Sequence, residues 1–199
     1  MLDRGFKAWA ERTARAIRDE LSLGATAPLP PGQLAEYLGV ELRTPREIAG
    51  LPREVLDQLL VKDPWGWSAV TLADGNRPLV IYNPRKSEGR RASDVTHELA
   101  HLVLDHEPGT LVFSQDGGMA MRSFNQKQED EANWLAWVLL LPREALTLCR
   151  RRGLAIAAIA EEYGVTEVLV TFRVRTTGVD RQFDRAVARR SEASPRRRR

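Results

Sequence analysis

The stretch VTHELAHLVLDH, residues 95–106, decides how the fold of this chain is interpreted. Ser93 and Asp94 directly precede this stretch, and either residue is a suitable N-cap for a helix. Apolar side chains then recur at the spacing of one helical face, at Val95, Leu99, Leu102 and Val103. We therefore expect an amphipathic helix whose apolar stripe packs on a core and whose other face is polar.

The centre of this stretch, His97-Glu98-Leu99-Ala100-His101, has the pattern HExxH. Residues four apart project from the same face of a helix, so His97 and His101 can converge on one metal ion. Glu98 then lies beside the metal, where it can take a proton from water. The pattern also arises by chance, but two of the three histidines of the chain fall in it. The spacing therefore predicts a zinc site with a general base.

A catalytic zinc ion takes three protein ligands, so one more must come from elsewhere in the chain. Candidates lie in QEDE, residues 128–131, at the start of a helix predicted over residues 126–141. The later positions of this helix are apolar, so it packs on a core and can bring one carboxylate to the metal. Asp130 and Glu131 are interpreted as solvated residues that favour the helix dipole. The pattern leaves the third ligand open.

Two other reactive side chains are interpreted as structural. His106 follows His101 by five residues and would lie on another helical face, so we expect a surface or helix-end histidine. The single cysteine, Cys149, lies among apolar residues of a late helix, which indicates a buried and inert thiol. One cysteine cannot form an internal disulfide, and no secretory signal is recognisable. These features predict a cytoplasmic protein.

The remaining sequence predicts helices that enclose a small β-sheet. Three helices are expected at residues 4–21, 33–38 and 53–60. Two β-rich runs, WSAVTL and PLVIYN, are separated by a turn with Gly and Asn and predict a hairpin. A second hairpin is expected from LVF and MAM around Asp116-Gly117-Gly118. The pattern indicates an α+β fold. No run reaches the roughly 20 apolar residues that cross a bilayer, so no membrane partner is expected.

The segments THELAHLVLDHE and QEDEANWLAWVLLLP resemble the ImmA/IrrE family of bacterial metallo-endopeptidases, in which an HExxH helix precedes a Glu-containing helix that ends near Pro. The resemblance implies a zincin-like small metallopeptidase. The metal-binding Glu of the family lies four positions before an Asn that Asn133 matches here. Position by position, the resemblance implies Zn²⁺ on His97, His101 and Glu129, with Glu98 as the base.

Relatives in this family commonly act inside bacterial cells and cut a helix-turn-helix repressor. The resemblance therefore implies a protein substrate, a transcriptional repressor of a mobile element or of a stress response. We expect the chain to divide into a zinc metallopeptidase domain over residues 1–142, which includes the N-terminal helices, and a helical, helix-turn-helix-like segment over residues 143–180. Residues 181–199 form a basic tail with little to bury, which is expected to be disordered.

A regulatory protein without proteolysis is the alternative. Residues 159–166, IAEEYGVT, have the Ala and Gly offsets of a helix-turn-helix. The next helix is rich in apolar residues and leaves chiefly Thr171, Arg173 and Arg175 to meet base edges, so it has the character of a buried helix. Weak nucleic-acid contact through the basic tail is also expected. A further alternative keeps the zinc but only binds a repressor.

Overall fold

The computed structural model describes residues 2–74, 77–106, 111–112, 121–122 and 125–180. These residues form helices around a small sheet, so the α+β prediction is confirmed. The helices and strands in chain order are α1 (Phe6–Glu20), α2 (Pro31–Tyr37), β1 (Glu41–Arg43), α3 (Arg53–Asp57), β2 (Ala69–Asp74), β3 (Arg77–Tyr82), α4 (Glu88–Val103), β4 (Leu111–Val112), β5 (Met121–Arg122), α5 (Gln126–Leu140), α6 (Arg143–Arg151), α7 (Ile156–Tyr163) and α8 (Glu167–Thr177).

The larger sheet has the strand order β1-β3-β2, with β1 parallel to β3 and β2 antiparallel to it. The β2–β3 pair confirms the first predicted hairpin, and the register places Thr71 opposite Val80. The second predicted hairpin is present as the short antiparallel pair β4–β5. Its predicted turn, Asp116-Gly117-Gly118, lies outside the described residues, as does the basic tail over residues 181–199.

The helix α4 begins earlier than its sequence predicted. Ser87 occupies the N-cap position, so the predicted caps Ser93 and Asp94 lie inside the helix. The Ser93 hydroxyl donates to the carbonyl oxygen of Gly89 at 3.1 Å, and Asp94 forms an ion pair with Arg90 at 3.0 Å. Both polar groups therefore have partners within the helix, which allows these residues to lie inside it instead of capping its start.

Tertiary packing stabilises these added turns at the start of α4. A methyl group built on Gly89 would lie 2.6 Å from the carbonyl carbon of Val165 and 2.9 Å from the nitrogen of Thr166. The backbone of α4 therefore rests directly on the turn between α7 and α8. A local sequence pattern carries no information on this contact, since its two sides are about 75 residues apart in the chain.

The main core lies between α1, α4, α5 and the sheet. The predicted stripe of α4 is partly confirmed, because Val95 and Leu99 are buried whereas Leu102 and Val103 are only partly covered. Helix α4 contacts both the sheet and α5. The fully buried residues of this core include Ala10, Ala14, Leu34, Val80, Leu99, Ala100, Ala132, Leu135 and Ala136. Helix α4 is thus the central element of the fold.

A second cluster of buried side chains joins α6, α7 and α8 to the end of α5. Its members include Leu140, Leu141, Leu146, Cys149, Ile159, Tyr163, Leu169 and Val170. Burial raises the pKa of the Cys149 thiol, which agrees with the prediction of a buried, inert cysteine. No helix in the described part of the chain has the length and apolar character needed to cross a bilayer.

Substituting Ala for Gly89 is expected to destabilise the protein by about 1–3 kcal/mol, because the added methyl group meets backbone atoms that can move only if the helices shift. Urea unfolding measures the change. Gly32, in α2, is the matched control, since a methyl group there meets no atom within 4 Å and Ala favours a helix. An unchanged midpoint for Gly89→Ala would contradict the close contact.

Candidate metal centre

Two helices bring His97, His101 and Glu129 together. The Nε2 atoms of the two histidines lie 3.1 Å apart. The Glu129 carboxylate is 3.2 Å from Nε2 of His97 and 3.5 Å from Nε2 of His101. All three side chains are partly exposed, at 19–26% of their surface. One nitrogen or oxygen from each residue therefore points into a common space that solvent can reach.

The spacing of the imidazole nitrogens and the carboxylate oxygens suits a small metal ion. Zinc ligands lie at about 2.0–2.1 Å in a tetrahedral arrangement, which places neighbouring ligand atoms about 3.3 Å apart. The two Nε2 atoms are 3.1 Å apart, and their distances to the Glu129 carboxylate are 3.2 Å from His97 to Oε2 and 3.5 Å from His101 to Oε1, all close to that value. Within the described residues, this group is the one set of three or more His, Cys, Asp or Glu side chains with such convergence.

Packing of α5 on α4 brings Glu129, one residue of the acidic run, next to His97 and His101. Asn125 caps α5 and accepts from the backbone N–H of Lys127 at 3.1 Å, which places Glu129 in the first turn. The buried Ala132 and Ala136 then hold this face of α5 against α4. Asp130 instead accepts from the side chain of Gln126 at 2.7 Å.

Glu98 is buried on the side of α4 that faces the sheet. Only 5% of its surface is exposed. The Thr71 hydroxyl of β2 donates to Oε2 of Glu98 at 2.5 Å. A charge-assisted hydrogen bond of this kind fixes the orientation of a carboxylate. Sequence reasoning missed Thr71, because its proximity to Glu98 depends on how the β2–β3 hairpin lies across α4.

His106 was predicted to be a surface or helix-end histidine, and the structure places it just past the end of α4 but not at the surface. Its side chain is only 7% exposed, and Nδ1 lies 3.0 Å from Nδ1 of His101. Its Nε2 lies 3.3 Å from Oε2 of Glu131. Glu131, predicted to be solvated, is 13% exposed, so that prediction was wrong as well. The placement of His106 on another helical face assumed a helix that continues, whereas α4 ends at Val103 and the chain turns back. Glu131 was predicted to be solvated as part of an acidic first turn, but in the structure it contacts His106.

The C-terminal helices resemble a helix-turn-helix in outline. Helix α7 ends at Gly164, which has φ of 61°, and the Thr166 hydroxyl accepts from the N–H of Leu169 at 3.2 Å to cap α8. Arg173, one of the few residues of α8 that the DNA-binding alternative left to meet base edges, is 1% exposed and donates to the carbonyl oxygen of Leu141 at 2.9 Å. The guanidinium group of this arginine is therefore buried and hydrogen-bonded inside the protein, so it is unavailable to a nucleic acid.

Comparison with known proteins identifies the class. The IrrE N-terminal-like domain model of the peptidase family M78 matches residues 53–175, which is more than half of the chain. The chain therefore belongs to this family, and the expected likeness to ImmA/IrrE proteins is confirmed. The family is named for a peptidase. No curated protein is significantly similar in sequence.

A solved structure, that of a Mycobacterium tuberculosis transcriptional regulator, has a similar fold. The TM-score is 0.51 at 17% sequence identity, and the matched region covers 87% of this chain but 47% of that one. This chain thus spans about half the length of the regulator. At this identity the likeness describes the fold alone.

Replacing Glu129 by Ala is expected to reduce the zinc that copurifies with the protein from about one equivalent to a small fraction, because two imidazoles alone hold zinc weakly. Elemental analysis after gel filtration provides the measurement. Asp130→Ala is the matched control, since it removes the neighbouring carboxylate in the same helical turn and should leave the zinc in place. Equal zinc contents in the two variants would exclude Glu129 as a ligand.

Proposed function

We propose that this chain is a zincin-like, zinc-dependent endopeptidase that hydrolyses a peptide bond in a protein partner. The observation that carries the proposal is the convergence of His97, His101 and Glu129 beside the buried carboxylate of Glu98. Two imidazoles and one carboxylate, with room for a further ligand, form the donor set of catalytic zinc sites. The family assignment supports the same chemistry.

Zinc suits these donors because it accepts nitrogen and oxygen ligands at tetrahedral spacing. A zinc ion at such a site acidifies water and polarises a carbonyl group. Glu98 takes a proton from the attacking water onto a carboxylate oxygen and delivers it to the nitrogen of the leaving amine. The peptide bond is thereby exchanged for a carboxylic acid and an amine, and Glu98 ends the cycle as it began.

Thr71 keeps the Glu98 carboxylate in one orientation during this proton transfer. Its hydroxyl donates a hydrogen bond of 2.5 Å to Oε2 of Glu98, and this bond restricts rotation of the carboxylate. Because Thr71 lies on a strand of the sheet, its position is set by hydrogen bonds of the β2–β3 ladder and is therefore rigid. The general base is thus oriented by a rigid part of the fold.

The placement of β2 suits an extended peptide as the substrate. It is an edge strand of the larger sheet, and no described strand pairs with its outer side. A peptide in extended conformation can add to such an edge through main-chain hydrogen bonds. The same strand carries Thr71, which contacts Glu98, so a peptide along β2 would pass close to the base. A protein segment is therefore a better substrate than a compact small molecule.

The partner we propose is a helix-turn-helix transcriptional repressor, encoded near the gene for this protein. The ImmA/IrrE resemblance supports this substrate. Sequence-specific DNA binding by this chain is less well supported. Arg173 is buried in the helix that would read bases, and the exposed surface of that helix includes Val168, at 77%.

Changing Glu98 to Gln tests proteolysis against simple binding of a repressor. Cleavage of the repressor should fall by about 100- to 10,000-fold, because Gln nearly preserves the shape but accepts no proton. Zinc content and binding of the repressor should persist. Mass spectrometry of the products and elemental analysis measure the two effects. Glu88→Gln, at the exposed start of the same helix, is the matched control. Wild-type cleavage by Glu98→Gln would refute the hydrolytic mechanism.

Changing Thr71 to Val should lower kcat by roughly tenfold or more while KM stays nearly constant, since a hydrogen bond to a charged group contributes about 1.5–3 kcal/mol. Val keeps the shape of Thr but donates no hydrogen bond. The conservative variant Thr71→Ser retains the hydroxyl and should recover most of the lost rate. Steady-state kinetics on a peptide from the cleavage site give the result. A Ser variant as slow as the Val variant would argue that Thr71 acts through packing only.

A further inference from the structure

We infer that His106 and Glu131 are positioning residues that fix the tautomer and the orientation of His101 as a metal ligand. The inference rests on the proposed metal centre. It is carried by a chain of side-chain contacts that leads away from the cluster, from His101 to His106 and then to Glu131, at 3.0 Å and 3.3 Å.

The end of α4 is folded so that His106 returns to His101. The N–H of His106 donates to the carbonyl oxygen of His101 at 3.0 Å, and the N–H of Asp105 donates to that of Leu102 at 3.2 Å. Together with the left-handed conformation of Asp105, with φ of 51°, these two bonds form a Schellman motif. Such a motif brings the second residue after the helix cap against the last turn, and here it brings two imidazoles together.

The contact between the two imidazoles determines which nitrogen carries the proton. Nε2 of His101 faces His97 and Glu129, so a metal ligand at that atom needs a free lone pair and the proton lies on Nδ1. That N–H donates to Nδ1 of His106 at 3.0 Å. His106 is then protonated at Nε2, which donates to Oε2 of Glu131 at 3.3 Å. Each proton in the chain has a defined acceptor.

Burial and charge support a dedicated role for this chain. The His106 and Glu131 side chains are 7% and 13% exposed, whereas the three converging residues are more open to solvent. The second oxygen of Glu131 lies 3.8 Å from the ammonium group of Lys127, which also pairs with Asp3 at 2.7 Å. A nearly buried carboxylate is costly unless it is paired, and both of its oxygens are matched here.

The two histidines of the cluster differ in whether their Nδ1 atom has a hydrogen-bond partner. Among the described residues, Nδ1 of His97 is buried and has no hydrogen-bond partner. His101 is therefore the proposed ligand whose Nδ1 has a side-chain partner, and this chain of contacts ends at the carboxylate of Glu131. An imidazole that donates to such a partner is held in place and becomes a better electron donor. Loss of partners of this kind typically weakens metal binding by about 10- to 100-fold.

Zinc affinity, measured in the full chain by competition with a chelating dye, tests the inference. His106→Leu removes the acceptor but keeps a similar volume, so affinity should fall by about 10- to 100-fold. His106→Asn places an amide oxygen near the position of Nδ1 and should restore affinity to within a few fold of wild type. Glu131→Gln keeps an acceptor without its charge and should lie between the two. Asp130→Asn, in the same turn, should leave affinity unchanged.

Cobalt provides a readout that a purely structural role would not change. The visible spectrum of bound Co²⁺ depends on ligand geometry, so it should shift in His106→Leu and return towards wild type in His106→Asn. Thermal unfolding of the metal-free proteins identifies any variant that fails to fold, and Glu131→Gln then decides in place of His106→Leu. Wild-type affinity and spectrum in the folded variants, or equal losses for Leu and Asn, would overturn the inference. Failure of the wild-type protein to bind Zn²⁺ would instead overturn the metal centre itself.

Discussion

The contact between α4 and α5 is the constraint on which the rest of the site depends. His97 and His101 lie on the first helix and Glu129 on the second, so their separation is set by how closely the helices approach. Small buried side chains, Ala100, Ala132 and Ala136, allow a close approach because they add little volume between the two backbones. A larger side chain at this contact would move the carboxylate away from the imidazoles.

Two buried guanidinium groups hold the end of α5 in place. Arg18 of α1 donates to the carbonyl oxygen of Leu139 at 2.5 Å, and Arg173 of α8 donates to that of Leu141 at 2.9 Å. The last carbonyls of a helix lack partners within it, so cations at this end satisfy them and match the helix dipole. Burial lowers the pKa of Arg18 to about 10, which leaves it charged at neutral pH. Helices at both ends of the chain thereby fix the helix that carries Glu129.

The observed contacts of the C-terminal helices are with the helices that carry the site. These contacts support a role in packing better than a role in binding another molecule. Arg173 also forms an ion pair with Glu11 at 2.6 Å, which links α8 to α1. The turn between α7 and α8 lies against Gly89 at the start of α4. A sequence pattern that resembles a helix-turn-helix is thus compatible with a supporting role, because the same cap and turn are needed wherever two short helices meet at an angle.

The sequence by itself determined the features that depend on nearby residues. The HExxH spacing defines one face of a helix, and two β-rich runs separated by turn-forming residues predict the β2–β3 hairpin, because both follow from local backbone geometry. The choice of Glu129 over its acidic neighbours needed the family resemblance, since all three carboxylates share one helical turn. Only the tertiary structure brought Thr71 to Glu98, returned His106 to His101 and buried Glu131 and Arg173. These contacts join residues on different elements, or depend on where a helix ends, and the free energy that fixes them comes from packing that no local pattern records.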